Sequence, residues 1–106
     1  MNAAALEAEF ASRAIPCDSG LLLLTPDDAI AFVRRARDER IAILGVDGMF
    51  ATATETVSPL EHIADYTAAV GRGDGCWRIA ERFIVDRREL GLVFEVVLGE
   101  NVSHAV

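Results

Sequence analysis

The segment RIAILGVDGMF, residues 40–50, sets the organisation of everything around it. Residues 41–46 are apolar apart from a glycine, and they lead directly into Asp47-Gly48. A short run that is apolar on both faces reads as a strand covered on each side. The reading therefore makes 41–46 a central strand with Asp47 at its carboxyl end.

Upstream, Thr25-Pro26-Asp27-Asp28 carries the signals of a helix start: a hydroxyl N-cap, proline at the first helical position and acids in the first turn. Ala29, Phe32, Val33 and Ala36 follow at helical spacing. Arg34, Arg35, Arg37 and Arg40 gather toward the end where the helix dipole favours cations. This predicts a helix over 26–39. LLLL, residues 21–24, precedes it and is expected to be a short buried strand. Strand, helix and strand in succession make a βαβ unit, with parallel strands and a right-handed crossover.

Further upstream, residues 2–14 are expected to form an amphipathic helix with Leu6 and Phe10 inward, and 16–20 a turn. Downstream, the threonine-rich 51–57 is an edge strand or an extended loop. Ser58-Pro59-Leu60-Glu61 has the pattern of a capping box, so a helix with Leu60, Ile63, Ala64 and Thr67 inward is expected there. GRGDG, residues 71–75, reads as a helix–helix connection, with Asp74 as the cap of a helix over 76–89. That helix would turn Trp77, Ala80, Phe83 and Ile84 to the core. LVFEVVL, residues 92–98, has the strongest strand propensity in the chain. The residues after it, 99–106, read as a flexible tail. The sum is a small single-domain α/β sandwich over 1–106, with about three strands, the first two parallel, packed with about four helices.

Composition narrows the function. With 106 residues and 52% hydrophobic content, the chain can bury a core. No apolar run approaches the roughly 20 residues that span a bilayer, and the first residues carry acids rather than the basic start of a secretory signal. The expected compartment is the cytosol, where Cys17 and Cys76 would remain thiols. The formal charge of −7 disfavours nucleic acid and anionic membrane as partners and suits a basic protein. All ten basic residues are arginine; bidentate recognition of carboxylates is one use of such a bias, and ordinary solvated surface charge is another.

Asp47 is the first candidate for chemistry, since ligands of open parallel sheets gather beyond the carboxyl ends of strands. A carboxylate there serves as general base, metal ligand or partner contact; equally, Asp-Gly is a common turn former. His62, beside Glu61 and Asp65, offers too few ligands for a metal site, and no HExxH or CxxC motif is present. Nothing in the spacing brings His62 to Cys76 as a nucleophile–base pair. GRGDG lacks the preceding strand and the lysine of phosphate-binding loops. No catalytic residue, metal or cofactor is expected. The acids Glu55, Glu61, Asp65 and Asp74, close in sequence after Asp47, are expected to collect into a negative partner-binding patch; a solvated face is the plainer reading.

The run TPDDAIAFVRRARDERIAILGVDGMF followed by SPLEHIADY resembles a family of immunity proteins from bacterial polymorphic toxin and contact-dependent inhibition systems. In that family a helix leads into a strand ending Leu-Gly-Ile/Val-Asp-Gly-Phe. Leu44, Gly45, Val46, Asp47, Gly48 and Phe50 match it, with Met49 intervening. Ser58, Pro59, Leu60, Glu61 and His62 match the helix start that follows, and Phe94-Glu95-Val96 the closing strand with its internal glutamate. The resemblance implies a non-catalytic protein that binds and neutralises a cognate toxin domain, such as a basic nuclease. A small enzyme using Asp47, with His62 or Cys76 assisting, and a homo-oligomeric regulatory module, such as a homodimer, are the rival readings.

Overall fold

A computed structural model describes residues 1–17, 20–51, 56–57, 63–65 and 75–102. The chain opens with α1, Ala3–Phe10, capped by the Asn2 side chain, which accepts the Ala5 N–H at 2.9 Å. A single 3₁₀ turn, Ala11–Arg13, closes it. α2, Pro26–Asp38, starts where the sequence signals put it: Thr25 Oγ1 accepts the Asp28 N–H, and Pro26 occupies the first turn. α3 spans Gly75–Asp86. The strands are β1, Ile41–Ala51; β2, Thr56–Val57; β3, Ile63–Asp65; and β4, Val93–Asn101.

The sheet is where expectation and structure part. Every pairing among the described strands is antiparallel. β1 is central, with β4 along one edge and β3 along the other, since Gly45, Val46 and Asp47 each pair with both. β2 folds back onto the far end of β1, opposing Phe50 and Ala51. With both edges of β1 taken, no place remains for a parallel neighbour. Residues 21–24 therefore form no strand against it. Leu23 and Leu24 make isolated antiparallel bridges, to Ile15 and Phe94 respectively. The expected parallel βαβ unit is absent, and α2 joins a bridge beside β4 to the centre of the sheet.

Two further expectations are corrected. Ile63–Asp65 is strand, not the middle of a helix, so the described residues hold three α-helices instead of four. The unpaired backbone of the β1 edge needs partners, and that demand overrides the local capping signal; Ser58, Leu60, His62 and Thr67 lie outside the described residues. β4 continues through Asn101, so 99–101 belong to the sheet rather than to a tail. Asn101 opposes Ile41, and the Val102 N–H donates to the Arg40 carbonyl at 2.6 Å.

The core lies between the sheet and the helices. α2 contributes Ala29, Phe32, Val33 and Ala36; α3 contributes Cys76, Trp77, Ala80 and Ile84. The sheet meets them with Ile41, Ile43, Val46, Phe94 and Val96. Leu6 and Phe10 anchor α1, the Phe10 ring standing edge-on to Phe32 at 5.0 Å, a favoured aromatic geometry. Neither Cys17 nor Cys76 is in a disulfide. The register of β1 with β4 shifts on either side of Ile43, and beside that irregularity the buried Trp77 indole N–H donates to the Ile41 carbonyl at 2.8 Å.

Candidate functional site: a cross-strand carboxylate pair

Asp47 does not end a strand. β1 runs four residues past it, to Ala51, because β4 remains alongside: Gly48 lies opposite Phe94 and Met49 opposite Val93. Asp47 is neither a turn residue nor at the C-terminal mouth of a parallel sheet. It sits within the ladder, with Ile63 of β3 on one side and Glu95 of β4 on the other.

Side chains alternate across a strand. Phe94 and Val96 point into the helical core, so Glu95 between them faces the opposite side of the sheet. Asp47 shares that face, because directly opposed residues of an antiparallel pair project together. Both carboxylates are half-buried. Their nearest ladder neighbours are apolar, Met49 with Val93 and Gly45 with Val97. Met49 is covered, whereas Val97 is exposed.

Like charges directly opposite one another destabilise a sheet, and no cation among the described residues compensates this pair. Among the described residues neither Asp47 nor Glu95 forms a salt bridge, although eight ion pairs are present elsewhere. Partial burial holds the Asp47 carboxyl above its usual range. Burial also raises Glu95, and the charges of Asp47 and of Glu7 on α1 raise it further. A carboxylate that is both desolvated and next to another negative charge resists ionisation.

Of the other acids expected at the site, Asp65 lies in β3 with its backbone opposite Gly45, two positions along β1 from Asp47. Glu55, Glu61 and Asp74 lie outside the described residues, as does His62. Glu95 is the residue that reading the sequence for site acids passed over. Its signal was present: a single acid inside the chain's most strand-prone run, at the position that alternation turns away from the core. Among the described residues no group of three or more histidine, cysteine or acidic side chains is placed to hold a metal ion, and no helix is long and apolar enough to cross a membrane.

No protein-family model matches the chain, and no curated protein matches it.

Proposed function

We propose that this protein is a non-catalytic, cytosolic binding protein that neutralises a basic toxin domain, and that the face carrying Asp47 and Glu95 is its contact surface. The observation that carries this reading is the Asp47–Glu95 pair, directly opposed in the ladder and without a salt bridge among the described residues. Two half-buried carboxylates held opposite one another burden the free protein. A guanidinium from a partner bridges them, removes the repulsion and satisfies both by charge-assisted hydrogen bonds. The ladder fixes the backbone of both residues in advance, so little ordering is lost on binding. The net charge of −7 steers a basic partner toward the complex. The motif resemblance between residues 21 and 98 points to the same class of function.

The test is genetic and biochemical. The gene should lie immediately downstream of a large toxin gene, and co-expression with the terminal domain of that toxin should protect the cell and yield a stoichiometric complex. Asp47→Asn with Glu95→Gln should leave the fold intact and weaken protection. A location inside an unrelated metabolic operon, or full protection by the double variant, overturns the assignment.

One observation favours a second reading. Two half-buried carboxyls directly opposed across a ladder, both held above their usual range by burial, are also candidates for acid–base chemistry. A hydrolytic or transfer activity of the purified protein that vanishes in Asp47→Asn would establish an enzyme and remove the binding reading.

A further inference from the structure

On the opposite side of the molecule, α2 and α3 pack side by side and leave a surface groove of about 430 Å³ between them. Its floor is apolar. Val33 and Trp77 are almost wholly covered there, and Val85 is 41% exposed. Its walls are cationic: Arg34 and Arg37 stand three residues apart on α2, and Arg78 and Arg82 four apart on α3. Those spacings put each pair on one face of its helix. Four of the chain's ten arginines thus line one groove of a protein whose net charge is −7.

The counter-charges within the groove are accounted for. Glu81 is taken up by Arg34 in a two-pronged bridge, Nε to Oε1 at 3.0 Å and Nη2 to Oε2 at 3.1 Å. Arg37 and Arg82 lie 3.6 Å from Asp38 and Asp86, long contacts made by side chains that are 51% and 80% exposed. Arg78 is exposed and makes no ion pair among the described residues. The guanidinium groups of Arg37, Arg78 and Arg82 therefore keep donor edges available above an apolar floor.

We infer that this groove is a second binding site, and that its occupant is an acidic peptide segment in which aspartate or glutamate flanks an aliphatic or aromatic side chain. The carboxylates meet the arginine walls in the planar, two-pronged geometry that guanidinium favours, and the apolar side chain packs on Val85 and the methylene stems of the arginines, above the already covered Val33 and Trp77. Overall negative charge does not prevent this. Charges farther apart than about 8 Å are largely screened at physiological ionic strength, so the local arginines govern a ligand inside the groove. Nucleic acid fits less well: a continuous phosphate backbone in the groove would run against Glu81 and past Asp38 and Asp86.

A short fluorescein-labelled peptide alternating aspartate and glutamate with leucine and phenylalanine tests the site by fluorescence polarisation with the full chain. Saturable binding is expected, weakening as salt rises. Arg78→Ala breaks no ion pair among the described residues and should keep the circular dichroism spectrum unchanged, yet weaken binding about tenfold, the loss of one charge-assisted hydrogen bond. Arg78→Ala with Arg82→Ala should weaken it further. Replacing leucine and phenylalanine by alanine in the peptide should also abolish saturation. Absence of saturable binding, affinity unchanged in the double variant, tighter binding of a single-stranded oligonucleotide through the same arginines, or a homodimer that Arg78→Ala dissociates would each overturn the assignment.

Discussion

The indole N–H of Trp77 donates to the backbone carbonyl of Ile41 at 2.8 Å, fastening α3 to the first residue of the central strand. Both residues are buried, so no water replaces the bond if it is lost. It lies where the β1–β4 ladder is irregular, with the register changing between Ile41 and Ile43. The Arg40 guanidinium lies 5.6 Å from the same ring, so one side chain fills the core, satisfies a backbone acceptor and receives a cation.

Trp77→Phe keeps an aromatic ring but leaves the Ile41 carbonyl without its indole donor. The expected cost is about 1–3 kcal/mol from the unsatisfied acceptor, with a further contribution from the lost ring volume. Urea unfolding followed by circular dichroism measures it, because Trp77 is the only tryptophan and its fluorescence disappears with it. The midpoint should fall with the denaturant slope unchanged.

The carboxylate pair predicts a pH dependence whose sign follows from proton linkage. Asp47 and Glu95 both have raised pKa values, so just above their ordinary values of 3.8 and 4.5 the folded protein holds protons that the unfolded chain has released. Stability therefore falls as pH rises through that window and levels off above the raised values. Glu81 has the opposite slope, because its hydrogen bond to Arg34 lowers its pKa, and its effect lies below 4.5. Glu95→Gln should raise stability at neutral pH by about 0.2–1 kcal/mol and flatten the curve above 4.5. Thermal unfolding across a pH series checks both, and a steeper curve in the variant contradicts the account.

Gly91, in the turn between α3 and β4, has φ of +77°. An added Cβ meets nothing within 4 Å, so the effect of Gly91→Ala is backbone strain alone. It should destabilise by about 1–2 kcal/mol. Gly75→Ala, in the first turn of α3 and also without steric conflict, should move the other way by up to about 1 kcal/mol. Chemical denaturation of the two variants side by side checks that backbone conformation alone sets the opposite signs.

The legible parts of the sequence were those whose causes are local. Thr25, Pro26 and the apolar spacing from Ala29 to Ala36 act within a few residues, and α2 begins where they indicate. The inward face of α3 was likewise readable from Trp77, Ala80 and Ile84. Strand direction was not readable. Residues 41–46 announce a buried strand, but its partner 95–97 lies some fifty residues away, and hydrophobicity carries no arrow. The capping pattern at Ser58 was a sound local signal, yet at 63–65 the need to pair the edge of β1 prevailed. For the site, Asp47 was singled out for a position at a strand end that it does not hold. Its actual distinction, facing Glu95, depends on register alone. The arginine groove follows the same logic: each helix displays its pair in sequence, but only packing sets the pairs across from one another.

The long partner of β1 is also the last described element of the chain. A ribosome delivers α1, α2, β1 and α3 before it delivers Val93–Asn101, and until then one flank of β1 lacks most of its hydrogen-bonding company. Leu24, which later bonds to Phe94 in both directions at 2.9 and 2.8 Å, waits equally unmatched. Cotranslational folding of this sheet is therefore deferred: the nascent chain carries an open, sticky ribbon edge that closes in one late step, and that interval is when it is most exposed to misassociation.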